Sequence, residues 1–315
     1  MKKILISLFF AFTAASLWGQ ESETAFNFLR LPVSAHAAAL GGDNITITDD
    51  DPTLIFHNPA LISNVSDKSI NLNYMTYMEG VKTASASFVR AINNRATWGV
   101  QAQYMDYGEI RQTSVSNEYL GDLSAKDIMV GGTFTYLLAD KLAGGITAKF
   151  VSSSLAGYNA LAVAVDLGLN YYDEEQQLSI SAVAKNLGGE VKAYEDDFEK
   201  IPLDLQLGIT KRLIGAPLRF SATLSRLNSW DDGFIKHLAL GADLLLSENI
   251  YLAAGYNFRR ADEMKIVSDD DSESSHGAAF SFGGGLQLER FKLQVAYAKY
   301  HVSANSLLFN VTYSL

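Results

Sequence analysis

The 315-residue chain has no cysteine, only 5 prolines and, beyond its first 20 residues, no apolar run of membrane-helix length. Without thiols it can have no lipid anchor on cysteine, disulfide scaffold, thiolate metal site or cysteine nucleophile. A helix needs about 20 apolar residues to cross a bilayer, so any crossing has to be made by strands. Positive charge is scarce as well, with 25 Lys+Arg against 35 Asp+Glu, and no nucleic acid is expected as a partner.

Catalytic patterns are missing too. His36, His57, His237, His276 and His301 form no His-x-x-x-His pair, and no Gly-x-Ser-x-Gly elbow occurs. Gly283-Gly284-Gly285 fails the dinucleotide spacing, and Asp269-Asp270-Asp271 lacks the spacing and turning glycine of a calcium loop. His57 reads as a packing residue. No enzyme, cofactor or metal site is expected.

What is present begins with a leader. Lys2 and Lys3 precede an apolar stretch from Ile4 to Leu17 and a small-residue site at Gly19, which predicts a signal peptide over 1–19 and an exported chain. Losing Lys2 and Lys3 with it makes the remainder more acidic still. Hydrophobic residues make up 48% of the chain and Gly numbers 24, which suits a large β-structure.

From about residue 68 onward, apolar residues recur at every second position, the period of a strand with two different faces. Leu307, Phe309, Val311 and Tyr313 alternate with Leu308, Asn310, Thr312 and Ser314, and Phe291, Leu293, Val295 and Tyr297 with Lys292, Gln294, Ala296 and Ala298. The pattern predicts fourteen strands, at 68–78, 81–91, 95–106, 127–138, 141–153, 159–172, 176–187, 202–212, 216–227, 235–246, 249–260, 277–289, 291–302 and 304–315. Most are close to the roughly 9–11 residues that cross a bilayer at a tilt. Strands of a soluble sandwich, the competing reading, are commonly nearer 5–6 residues.

Connection lengths agree with a barrel. Tight turns at 92–94, 139–140, 173–175, 213–215, 247–248 and 290 alternate with connections that include the long ones at 107–126, 188–201, 228–234 and 261–276. Short turns on one side and long loops on the other mark an outer-membrane barrel. The expectation is therefore an all-β, transmembrane antiparallel β-barrel over 68–315. Lys149, Asp166, Lys185, Asp204, Arg219, Asp243, Arg259 and Lys292 fall on the polar parity and are expected in the lumen, pairing with each other and with a plug. Gly131-Gly132, Gly144-Gly145 and Gly283 to Gly285 are candidate kinks in the wall.

Residues 20–67 do not alternate. They are too apolar for a disordered tail, and a fourteen-strand barrel is wider than its own side chains can fill. A compact N-terminal plug, or hatch, answers both facts. Its stiffest piece is the turn in LIFHNPALI at 54–62, where Pro59 fixes its own φ and biases Asn58 toward an extended conformation.

SAHAAALGG at 34–42, an acidic stretch, and then Phe56-His57-Asn58-Pro59-Ala60-Leu61 resemble the N-terminal signature of the FadL-type outer-membrane family. The resemblance implies a FadL-like barrel with a hatch, in which Gly41, Gly42, Phe56, Asn58, Pro59 and Ala60 form the hatch turn. It also implies the outer membrane of a Gram-negative bacterium, in contact with lipid or lipopolysaccharide, and a possible lumenal lipid or detergent.

The short chain and acidic outer loops are most similar to the small barrels of this family in the type IX secretion system. That implies a scaffold in the cell-surface attachment complex, holding a PorZ-like surface protein beside PorU and PorV. Tyr194, Phe198, Trp230 and Asp270 are then the partner-binding candidates on the outer loops. The alternative is a FadL-type transporter of a hydrophobic or small amphipathic molecule.

Overall fold

A computed structural model of the chain describes residues 24–78, 80–116, 118–194, 198–230, 233–267, 273–274, 277–301 and 304–315. The leader at 1–19, Asp270 and the Asp269–Asp271 run lie outside the described residues.

Fourteen strands close a barrel: β1 (Ser69–Thr76), β2 (Lys82–Asn93), β3 (Ala96–Thr113), β4 (Tyr119–Ala139), β5 (Leu142–Leu155), β6 (Tyr158–Asp173), β7 (Leu178–Lys192), β8 (Asp204–Arg212), β9 (Leu218–Leu224), β10 (Leu238–Leu245), β11 (Ile250–Asn257), β14 (Phe280–Gln287), β15 (Phe291–His301) and β16 (Ala304–Ser314). A two-stranded ribbon, β12 (Ile266–Val267) and β13 (Glu273–Ser274), stands outside it. Neighbouring barrel strands are antiparallel. The first and last close the ring, with Leu72 opposite Val311 and Tyr74 opposite Phe309.

The alternation has the cause inferred from the sequence. Along β1 and β16 the apolar residues Leu72, Tyr74, Leu307, Phe309 and Val311 point outward and are exposed, while Asn71, Asn73, Asn310 and Thr312 point inward and are buried. This inversion of the soluble pattern is what a lipid-facing barrel wall presents.

The wall is uneven in height. β3 and β4 run for 18 and 21 residues, while β9, β10, β11 and β14 have 7 or 8. The segment 107–126, expected as a loop, is therefore mostly strand, paired as far as Thr113 opposite Tyr119. Its outward face carries Glu109, Arg111, Asp122 and Lys126 in place of apolar residues because it stands clear of the apolar band, so the apolar alternation that marks a strand is missing there. For the same reason β7 continues to Lys192 through part of the expected loop 188–201.

On the low side, a helix at Phe258–Glu263 follows β11 and caps the rim, tied to the turn Phe234–His237 by Lys236 Nζ and Asp262 at 2.6 Å. Arg259 consequently lies on this helix and not on a strand, a departure from its expected place in the wall. Asn257 causes the break, its side chain accepting the Arg260 N–H at 3.0 Å as an N-cap.

The candidate kinks are absent at the named glycines, since the ladders through Gly131-Gly132, Gly144-Gly145 and Gly283 to Gly285 are in continuous register. Irregularities fall at Asp106/Glu109, at Val165/Leu167 opposite the left-handed Asn186, and at Ala298/His301, among others.

Candidate functional site

Residues 24–66 occupy the lumen, and their fit against the wall begins with small residues. Ser34 caps the helix Ala35–Ala39 through the Ala37 N–H, and with alanine at every helical position but His36 the helix approaches β14 and β15 closely. Ala35 N donates to Asn310 Oδ1 at 2.5 Å, and Ser281 Oγ donates to the Ala39 carbonyl at 2.9 Å. A Cβ on Gly283 would lie 2.7 Å from Ala39 Cβ, and one on Gly255 would strike the Leu40–Gly41 peptide. Glycine at these wall positions seats the hatch.

Gly41 and Gly42 turn the chain with φ of 106° and 104°, a conformation that favours glycine. Phe56 is buried at the end of the turn Pro52–Phe56, and Asn58 then caps a second turn, Pro59–Asn64. Asn58 Oδ1 accepts the Ala60 N–H at 2.9 Å, while its Nδ2 donates to the Ile45 carbonyl at 3.1 Å. Thr135 Oγ1 donates to the Pro59 carbonyl at 2.5 Å. A Cβ on Gly145 would lie 2.5 Å from the Pro59 carbonyl carbon, and one on Gly168 would strike Asn58 and the Pro59 ring. The expected hatch-turn residues thus split into two turns in the lumen, Gly41 and Gly42 against β10 and β11, and Asn58, Pro59 and Ala60 against β4 to β6.

The charges sort into clusters. His36 bonds Asp243 at 2.7 Å and Asp49 at 3.2 Å, and Arg219 bridges the same two carboxylates at 2.6 Å each. Tyr251 stacks on the His36 ring at 4.0 Å. Lys149 pairs with Asp166 at 2.5 Å beside the Asn186 bulge, and Lys292 Nζ donates to the Asp50 carbonyl at 3.2 Å. His36 and Asp49 were not singled out from the sequence; nothing local marks them, since their partners lie about 200 residues away. His57 is buried and accepts the Ser34 N–H at 3.3 Å. Burial, together with the charge of Lys185, holds its imidazole down to about 3, so it is neutral. Among the described residues no group of His, Asp and Glu could hold a metal ion.

Toward the long-loop face the lumen divides in two. Over β3 to β6, Phe26, Phe28 and Leu29 of the N-terminal segment are buried against Met105, Met129, Val151 and Ala162. Tyr194, expected on the outer surface, packs against this cluster and donates to Ser153 Oγ. Over β7 to β11 lies a cavity of about 300 Å³. Its floor is Gly41 and Gly42, and its walls include Arg30, Lys185, Asp204, Arg226, Arg259 and Arg260. Arg30, Arg226 and Arg260 escaped the sequence reading, although Asn257-Phe258-Arg259-Arg260 carries a helix-start signal that breaks the strand pattern. Phe198 and Trp230 are on the outer surface, 66% and 58% exposed.

No protein-family model and no curated protein matches the sequence. The fold is similar to that of solved barrels. A Pseudomonas aeruginosa FadL homologue aligns with TM-score 0.55 and 12% identity over 90% of this chain and 99% of that one. The Pseudomonas putida toluene transporter TodX aligns with TM-score 0.58 and 14% identity over 90% and 96%. The CymD monoaromatic hydrocarbon channel aligns with TM-score 0.56 and 14% identity over 92% and 98%.

Proposed function

We propose that the protein is a FadL-type barrel of a Gram-negative outer membrane that takes up a small amphipathic molecule through its long-loop face. The observation that carries this reading is the cavity of about 300 Å³ whose floor is the hatch turn at Gly41 and Gly42. A binding chamber set directly on a plug lets a ligand dwell at the mouth and act on the element that blocks its way. Pockets of this size hold small ligands, and Leu29, Leu31 and Met264 beside the charged lining suit a molecule with both characters. TodX and CymD, named for passage of aromatic hydrocarbons, lend support at the level of fold.

The test is flux into liposomes carrying the refolded barrel, using small amphipathic solutes against protein-free vesicles. Flux above background that saturates with solute is expected. Equal rates in both preparations would sink the uptake reading.

A scaffold reading has one observation in its favour. Phe26, Phe28 and Leu29 fill the apolar chamber over β3 to β6 with the chain's own side chains, while Phe198 and Trp230 stay exposed outside. In that reading the protein is a PorQ-like anchor of the type IX attachment complex, with a PorZ-like surface protein, PorU and PorV as partners. Affinity purification from the native outer membrane decides between the two. Near-equal recovery of such a surface protein supports the anchor, and a lone barrel with a bound small molecule supports uptake.

A further inference from the structure

The cavity at the mouth is rich in cations. Arg30, Lys185, Arg226, Arg259 and Arg260 line it against Asp43, Asp204 and Glu263. The three carboxylates are already engaged: Asp204 Oδ1 accepts the Arg226 N–H at 2.6 Å, Asp43 accepts from Asn257 Nδ2 at 3.3 Å, and Glu263 accepts from Arg226 Nη1 at 3.2 Å. Arg260 is only 5% exposed. Its Nη2 donates to the Ala279 carbonyl at 3.1 Å and its guanidinium lies 5.1 Å over the Tyr300 ring, which fixes the plane of the fork. Its Nε and Nη1 are buried and have no hydrogen-bond partner, and neither has Nε of Arg30, which also lines the cavity. Burial lowers the Arg30 pKa and the neighbouring Arg226 lowers it further, against the opposing pull of Asp204 and Glu263.

Buried donors in native proteins are nearly always satisfied. Two guanidinium groups with unfilled N–H positions, held over one cavity, are complementary to a group with at least two anionic oxygens. We propose that this cavity binds a small organic anion, a carboxylate or phosphate ester, with its anionic oxygens on Arg30 and Arg260. Asn27, Asn186, Gln206 and Asn257 supply the surrounding hydrogen-bonding positions. A long hydrocarbon tail has nowhere to go, since the chain's own Phe26 and Phe28 occupy the neighbouring apolar chamber. The inference deepens the uptake reading by assigning the polar end of its ligand, and it rests on the same cavity.

The test is calorimetric titration of the whole barrel in zwitterionic detergent with citrate, glucose 6-phosphate, free glucose and laurate, alongside the liposome flux assay. Citrate or glucose 6-phosphate should bind with an affinity that falls as salt is raised, and free glucose should not. Arg260→Gln and Arg30→Gln should each weaken binding about tenfold or more, with Arg260→Lys intermediate because a point charge replaces a fork. Heat-modifiable gel mobility reports that each variant is folded. Binding of laurate alone, or citrate binding unchanged in both folded Gln variants, overturns the anion site while leaving uptake to the flux assay. Anion binding without flux upholds the site and removes the uptake reading. If none of the four compounds binds, the anion proposal fails whatever the flux.

Discussion

The two halves of the lumen use the same residue types for opposite ends. Near the short-turn face and at mid-barrel, several polar groups find partners: Asn58 bonds Ala60 and Ile45, Thr135 bonds Pro59, and Arg219 bridges Asp49 and Asp243, while buried atoms of Asp51, Asn71, Gln101 and Gln294 find none. At the mouth, Arg30 and Arg260 keep buried N–H groups with no partner around a cavity. A buried charge with its partners in place holds the hatch; one without them is poised for something from outside. Polar composition alone does not separate a plug from a binding site. Among the described residues the pairing of guanidinium groups does, since Arg219 meets two carboxylates and Arg260 a backbone carbonyl.

The largest effect that should sharpen this contrast comes from Asp243→Ala. It leaves Arg219 and His36 buried with one carboxylate fewer, and removing one partner of a buried pair costs about 3–5 kcal/mol. Urea unfolding in phospholipid vesicles should show it, while citrate binding by the protein that remains folded stays near wild type. Next is Gly168→Ala, whose new Cβ strikes Asn58 and Pro59. Overpacking of about 1–3 kcal/mol is expected, together with raised conductance in planar bilayers as the hatch lifts. Unchanged conductance and stability would mean that the hatch is not seated on the wall glycines.

Asn58→Ala removes a cap, worth about 1 kcal/mol, and should lower the thermal midpoint without opening a channel. The smallest effect is on pH dependence. His57 is held down to about 3 in the folded barrel against 6.5 ordinarily, so the unfolded chain takes up its proton first. The stability from keeping it neutral is present above about pH 6.5 and is lost as pH falls toward 3. Thermal midpoints between pH 7 and pH 4 should fall less steeply in His57→Gln than in wild type, and parallel slopes would exclude this contribution.

The barrel was legible because its signal is local. Lipid on one side and lumen on the other impose a two-residue period that each strand carries within itself, as Leu307 to Ser314 do. Where that environment ends, the signal ends: the far end of the β3–β4 hairpin is charged on its outward face and reads as loop, and the helix at Phe258–Glu263 hides behind a continued strand assignment that put Arg259 in the wall. The hatch turn was legible through Asn58 and Pro59, whose backbone preferences are intrinsic.

Residue order by itself thus determined an all-β barrel of fourteen strands, which face of each meets lipid, and the presence of a non-alternating segment before it. Only tertiary structure decided which wall glycines seat the hatch, that His36 meets Asp243 across 207 positions of sequence, that Phe26 and Phe28 fill one chamber, and that Arg30 and Arg260 line another. Those pairings exist because the ring closes and the N-terminal segment threads it, which brings distant positions together in a way no local period records.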